Sequence, residues 1–325
     1  MPNLSSLRSA RQFSAWQAPQ VAPAPQAALD MDVALATGTR TSIAQHGELL
    51  QGQLQDREHG YHRFLISLPC DRLFSTVTFA PSLASALTVV PSHKNKVHKV
   101  VKLTLEQFGL SHLGGLITVS SNIVEGKGYG SSTADCVAGA LAAADAVSCS
   151  LTDEEVAQLV VAAEIASDNF MFNRAVLFAH REGLVLAELG PRLPRLEVLG
   201  IDTDVAGVVC TLEYPPAVYD WRQIQCFQTL VAGAERAIRC QDLALLGRVA
   251  TSSALINQMF LPKPMFYELY RLAKCVRALG VAVAHSGTIL SMLFDPADPQ
   301  VEINIRQAYM DLETLGIVNV LRFRT

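Results

Sequence analysis

From Gly38 onward the polar and apolar positions settle into regular periods. "TRTSIAQ" and "HRFLISLPC" read as strands, joined by a polar loop, "HGELLQGQLQDREHGYH". "LFSTVTFAPS" and "SALTVVPS" alternate or run β-branched and predict two more. Val97, Val100, Val101, Leu105 and Phe108 recur at helical spacing, with Gly109 as the stop. "GGLITVSSNIV" is then a strand leading into a glycine-rich turn, and the alanine-dense stretch Ser131–Val147 predicts a helix. "LTDEEVAQLVVAAEIAS" predicts another, with Thr152 as N-cap and Glu155 completing a capping box. "GLVLAELG" and "VAGVVCTLEY" predict strands, and Pro215–Pro216 marks a lobe boundary near residues 190–220. Beyond it, Gln223–Ala250, Met265–Leu279 and Pro299–Leu315 predict helices, and "VAVAHSGTILSMLFD" and "VNVLRFRT" strands. Strands and helices mix in both halves, so the class is α+β in two lobes, residues 37–205 and 206–325.

Residues 1–36 break the pattern. "SAWQAPQVAPAPQAAL" is rich in Ala, Pro and Gln and without period, which predicts a flexible N-terminal extension. No acid precedes Asp30, a feature shared with organellar transit peptides, and no secretory apolar segment is present.

Length and composition narrow the class. A chain of 325 residues suits two cores better than one. Half of it is hydrophobic and 17% is charged, as in compact globular proteins. A net charge of −4 gives no electrostatic case for nucleic acid or an anionic membrane. The basic stretch "SHKNKVHKVVK" has no interleaved aromatics and reads as the solvated face of a helix start. No apolar run reaches the ~18 residues of a membrane span. Seven scattered cysteines without a CxxC pair argue for a reducing compartment and against a disulfide or zinc framework. The expected location is cytoplasmic.

The chemistry concentrates in "EGKGYGSSTAD", Glu125–Asp135. A P-loop would need its lysine after the last glycine, and here Lys127 precedes Gly128 and Gly130. A dinucleotide fingerprint would need a glycine where Ser131 stands. Both fail, but the physics remains. Gly126, Gly128 and Gly130 let the backbone take positive φ and bring N–H groups close to a ligand. The helix starting near Ser131 aims its free N–H groups at the same place. Ser131, Ser132 and Thr133 add hydroxyls for phosphate oxygens or Mg2+, and Lys127 adds a cation. The bland reading is a glycine turn with a serine cap.

Two further segments bear on this. "GKGYGSSTAD" resembles the central motif of the GHMP kinases. "SIAQHGELLQG" (Ser42–Gly52) is similar to the N-terminal motif of their L-threonine kinase branch, and "GVAVAHSGTILSMLFD" (Gly280–Asp295) to its C-terminal motif. The resemblance implies an N-terminal lobe like ribosomal protein S5 domain 2 and a ferredoxin-like C-terminal lobe, with the site between them. It implies ATP, Mg2+ and γ-phosphoryl transfer to a small hydroxyl-bearing acceptor, with L-threonine leading, and leaves a homodimer open.

Residue roles follow from the resemblance. Gly126–Thr133 form the phosphate cradle, and Ser132 with Glu164 holds the metal. Asp168, in "ASDNFMFNRAVLFAHREG", is the expected base or ammonium ligand, against a plain helix C-cap role. Glu48 is expected at an amino group of the acceptor or in a buried structural bond. His46 is carried with it as a substrate-side residue. Ser286, Gly287 and Thr288 form a turn near acceptor and phosphate. The chain departs from the branch at Ile43, His46, Tyr129 and Ala166, which keeps serine, homoserine or another hydroxy acid open as acceptors. A catalytically inactive binding or regulatory protein of this fold is the non-enzyme alternative; the retained Ser132, Glu164 and glycines argue against it.

Overall fold

The computed structural model describes residues 35–56, 60–83, 86–205, 207 and 217–325. The expected N-terminal extension, the strand "VAGVVCTLEY" beyond Val205 and the Pro215–Pro216 boundary lie outside these residues, apart from Leu35, Ala36 and Gly207.

Ten strands form one sheet, in the order β10-β7-β9-β8-β1-β2-β4-β3, with β5 and β6 hanging from β2. The first half contributes β1 (Gly38–Asp56), β2 (Gly60–Ser82), β3 (Leu87–Val90), β4 (Gly114–Ser121), β5 (Ala175–Ala179) and β6 (Leu184–Gly190). Helices α1 (Asn95–Gln107), α2 (Ser131–Ala146) and α3 (Asp153–Glu164) cover it. The second half has β7 (Glu197–Asp202), α4 (Trp221–Cys240), α5 (Leu243–Asn257), α6 (Phe266–Cys275), β8 (Gly280–Val283), β9 (Ile289–Phe294), α7 (Val301–Thr314) and β10 (Val320–Arg324). Its four strands lie in the order fourth, first, third, second and pair antiparallel. That is a ferredoxin-like split βαβ arrangement. β7, which precedes residue 205, belongs to this group. A six-residue strand after a proline-containing turn is too short to stand out by period.

The halves meet where β1 pairs with β8, at the single register pair Glu48↔Val283. One buried cluster packs α1, α2 and α3 on β2 and β4 through Val100, Val137, Val160, Phe79 and Ile117. A second packs α6 and α7 on β7–β9 through Leu269, Leu312, Val281 and Met292. A third spans both halves, joining Leu50, Phe64, Val198, Phe227 and Leu293. α2 is buried almost all round because its alanines let it lie close to β1. A Cβ on Gly38 would stand 2.1 Å from Ala142 O, so that crossing tolerates only glycine.

The capping box of α3 forms as expected: Thr152 Oγ1 accepts from Glu155 N, and the Glu155 carboxylate accepts from Thr152 N. Three expectations are corrected. "HGELLQGQLQ" is strand, not loop: β1 continues to Asp56 through register shifts around Ala44 and Glu48. Its polar side chains Gln45, Glu48 and Gln51 are buried instead of solvated, which the alternation rule reads as loop. The long helix Gln223–Ala250 is two, broken where Gln241 turns left-handed and Asp242 caps α5 by accepting from Leu245 N. β5 lies inside the segment read only for its aspartate.

Candidate active site

β4 delivers the chain to the glycine turn, and α2 leaves it. Gly126, Gly128 and Gly130 adopt φ of 76°, 95° and 73°. Gly130 is the N-cap of α2 and offers no side chain to its first N–H groups. These donors are left to a ligand, which is what an anion site needs. A Cβ on Gly130 would stand 2.5 Å from Asp168 Oδ2, so the loop touches the carboxylate expected to act.

Around the start of α2 four side chains converge. Thr133 Oγ1 donates to Glu164 Oε1 at 2.7 Å and accepts from Asp168 N at 3.4 Å. The Ser132 hydroxyl also bonds the Glu164 carboxylate. Glu164 ends α3, and Ile165, at φ 77°, turns the chain so that Asp168 returns beside it. Burial pushes the Glu164 carboxyl up, with Ser132 and Lys96 partly offsetting it. Burial, then the Glu164 charge, raises Asp168 to about 7. Two crowded carboxylates with hydroxyls between them are the oxygen donor set that Mg2+ takes. Here the residues fit the ion: a cation would relieve the repulsion that lifts Asp168.

The basic stretch before α1 is not simply a solvated face. Lys94 Nζ reaches Asp135 Oδ2 at 2.5 Å and Glu125 Oε1 at 2.6 Å, bracing the two ends of the glycine turn. Asp135 also accepts from Ser75 Oγ at 2.5 Å. Lys96 Nζ stands 3.5 Å from Glu164 Oε2. Residue spacing carried no sign of either pairing, because both join α1 to segments 30 to 70 residues downstream.

Two expected ligand residues have other work. Lys127 does not offer its charge to the cradle. Its Nζ donates to the carbonyls of Asp204 (2.6 Å), Val205 (2.8 Å) and Gly207 (2.5 Å), and pairs with Asp202 Oδ2 at 3.0 Å. His46 is fully buried, its Nδ1 2.8 Å from Ser291 Oγ and its ring against Tyr129 and Phe323. It presses on Gly200, where a Cβ would stand 2.2 Å from Nε2. Burial lowers it to about 4, so it packs as a neutral ring.

The turn "HSGT" clasps the glycine loop from the second half. Thr288 N donates to Lys127 O at 2.9 Å, and Thr288 Oγ1 bonds the same Asp202 that pairs with Lys127. Ser286 O would lie 2.2 Å from a Cβ on Gly128, and Lys127 O 2.2 Å from one on Gly287. Two glycines at φ 95° and 97° thus let two backbones touch.

Glu48 is 1% exposed at the seam, where Gln45 Nε2 donates to its Oε1 at 3.1 Å and the His285 backbone N–H also faces the carboxylate. Burial, then the nearby Asp168 charge, raises it well above the ordinary carboxylate range.

Comparison with known proteins agrees with this geometry. The profile described as GHMP kinases N terminal domain matches residues 95–172, which hold α1, the glycine loop, Glu164 and Asp168. An L-threonine kinase of Salmonella typhimurium is 31% identical over 268 residues, 79% of this chain and 84% of that protein. The chain belongs to the GHMP kinase family. A second L-threonine kinase, from Citrobacter freundii, is 33% identical over 192 residues, covering 55% of this chain and 62% of that one. Among solved structures, homoserine kinase from Cytophaga hutchinsonii superposes with a TM-score of 0.65 at 16% identity, covering 89% of this chain and 94% of that one. L. major mevalonate kinase in complex with R-mevalonate gives 0.62 at 16%, covering 90% and 97%. The α+β GHMP kinase fold and an ATP-dependent phosphotransferase activity follow. GHMP kinases use ATP and Mg2+, and one fold neighbour, MDDEF, was solved with MVAPP, AMPPCP and magnesium. Among the described residues no helix is long and apolar enough to cross a membrane.

Proposed function

We propose that this kinase transfers the γ-phosphoryl group of Mg2+-bound ATP to the side-chain hydroxyl of L-threonine, giving O-phospho-L-threonine. The observation that carries the reading is the junction of Ser132, Thr133, Glu164 and Asp168 at the uncapped start of α2. The 31% identity to an L-threonine kinase supports the acceptor.

In this reading the turn Gly126–Gly130 and the N–H groups of Ser131, Ser132 and Thr133 hold the triphosphate. Ser132 and Glu164 would hold Mg2+, which when bound would supply charge neutralisation at the phosphate oxygens. Asp168 sits beside Gly130, at the triphosphate end, and takes the acceptor's hydroxyl proton. Burial makes the Asp168 carboxylate a better proton acceptor than an exposed one, which suits a general base. Glu48, buried at the seam beside Gln45, receives the acceptor's ammonium group. Ser286, Gly287 and Thr288 set the backbone of this site instead of contributing chemistry of their own.

The test is ATP- and Mg2+-dependent ADP release against L-threonine, L-serine, L-homoserine and simple alcohols. L-Threonine is expected to give the highest kcat/KM, and Ser132→Ala and Glu164→Gln each to lower kcat at least about 100-fold with the fold retained. Wild-type rates in both variants would remove the metal assignment. Nucleotide binding with no turnover on any acceptor would refute the kinase reading for amino acids.

A further inference from the structure

Behind the phosphate cradle a line of buried polar groups runs across the seam. It begins at Asp168, which Gln45 hydrogen-bonds, passes through Gln45 to Glu48, and ends at Lys263 on the connection from α5 to α6. Lys263 is 4% exposed. Its N–H donates to Gln258 Oε1 at 2.7 Å, which fixes the backbone there. Its Nζ donates to Gly287 O at 2.7 Å, in the same turn that clasps the glycine loop.

Two features are costly on their own. Glu48 and Lys263 are both buried and feel each other's charge, but they form no direct ion pair. An ammonium has three donors, and Gly287 O is the one acceptor Lys263 Nζ has among the described residues. Gln45 Oε1, on the side chain that bonds Glu48, is a buried oxygen without a hydrogen-bond partner. Buried charges and orphaned polar atoms are kept where a ligand completes them. Burial draws Lys263 down to about 8, so it stays mostly charged at neutral pH.

A ligand that balances one buried carboxylate and one buried ammonium carries both opposite charges itself. An α-amino acid does: its ammonium would favour the ionised form of Glu48, which burial otherwise disfavours, and its carboxylate answers Lys263. Its side-chain hydroxyl then points along the line toward Asp168 and the cradle. We infer that Lys263 is the carboxylate anchor of the acceptor subsite and so selects α-amino acids over the corresponding amino alcohols. This rests on the amino-acid kinase reading above and deepens it.

The experiment compares kcat/KM for L-threonine and for 1-amino-2-propanol, the same acceptor without its carboxylate, in the full-length wild type, Lys263→Met and Lys263→Arg. The wild type is expected to prefer L-threonine at least about 100-fold. Lys263→Met is expected to collapse that ratio by on the order of 100-fold, chiefly through KM for L-threonine, and Lys263→Arg to recover part of it. Equal losses on both acceptors would make Lys263 a brace for the 287 turn and overturn the inference. So would a wild type indifferent to the carboxylate, which decides the matter even if Lys263→Met fails to fold. If the wild type prefers L-serine or L-homoserine, the threonine reading fails and the same ratio, taken against the matching amino alcohol, still tests Lys263. Turnover of alcohols alone refutes both.

Discussion

Replacing Asp168 by asparagine should change how stability depends on pH, and the sign is fixed by the site. In the folded protein Asp168 keeps its proton to about pH 7, against 3.8 for the ordinary group. Between those values the folded chain binds more protons than the unfolded one, so stability falls as pH rises. The full penalty above pH 7 is about 4 kcal/mol, from a gap of about 3 pH units at 1.36 kcal/mol each. Asp168 keeps some solvent contact, so about 2 kcal/mol is the working figure. Asparagine has the same shape and no charge to desolvate. It also spares Glu164 its like-charged neighbour, which reduces the slope further in the same direction. Urea unfolding of both proteins at pH 5, 6, 7 and 8 isolates this group, because the remaining titrating residues are common to the pair. The expected result is an Asp168→Asn variant less than about 1 kcal/mol more stable at pH 5 and about 2 kcal/mol more stable at pH 8, with its kinase activity lost. Mg2+ with a non-hydrolysable ATP analogue should then stabilise the wild type more than the variant. Parallel pH curves would show that Asp168 is not held protonated beside Glu164, and the two-carboxylate site would fall with it.

Gly128→Ala puts a methyl 2.2 Å from Ser286 O at φ 95°, so it should lower kcat at least about 100-fold by separating the glycine loop from its clasp; near-normal kcat would refute that contact. Lys127→Met leaves the Asp202 carboxylate without its cation and three carbonyls without their donor, so thermal and urea unfolding should report a loss of about 3 kcal/mol. Adding Asp202→Asn to it should recover part, and a phosphate-binding role would instead show as a raised KM for ATP at unchanged stability. His46→Ala should cost about 3 kcal/mol as a cavity between Ser291, Tyr129 and Phe323, with the KM for the acceptor changed less than about twofold. A large rise in that KM would return His46 to the substrate side.

What the chain shows on its face are features written in one stretch. The α2 and α3 helices, the α3 capping box and the glycine turn all depend on local order or on one short motif; the pairing of Ser132 with Glu164 comes only from the family resemblance. What stays hidden depends on partners far away. β1 looks polar enough to be a loop because Gln45, His46, Glu48 and Gln51 resemble solvent-facing residues; they are buried only because β8 and α5 come to cover them. The α4–α5 break hangs on a single left-handed residue and a cap, which apolar spacing passes over.

Lys127 shows how far one motif residue can mislead when its two halves are read together. Its backbone belongs to the phosphate turn, and its carbonyl accepts from Thr288 N. Its side chain runs the other way and binds Asp202 and three carbonyls that follow β7. Asp202 in turn holds Thr288 of the "HSGT" turn. Gly126 and Gly128 turn the backbone with positive φ, and the missing Cβ atoms of Gly128 and Gly287 let the two loops touch. A phosphate cradle closed in this way cannot form from the first half alone. If the proposed triphosphate turn and acceptor line through Glu48 and Lys263 are right, the same clasp brings them into register, and loosening it should weaken binding of both substrates together rather than of either one.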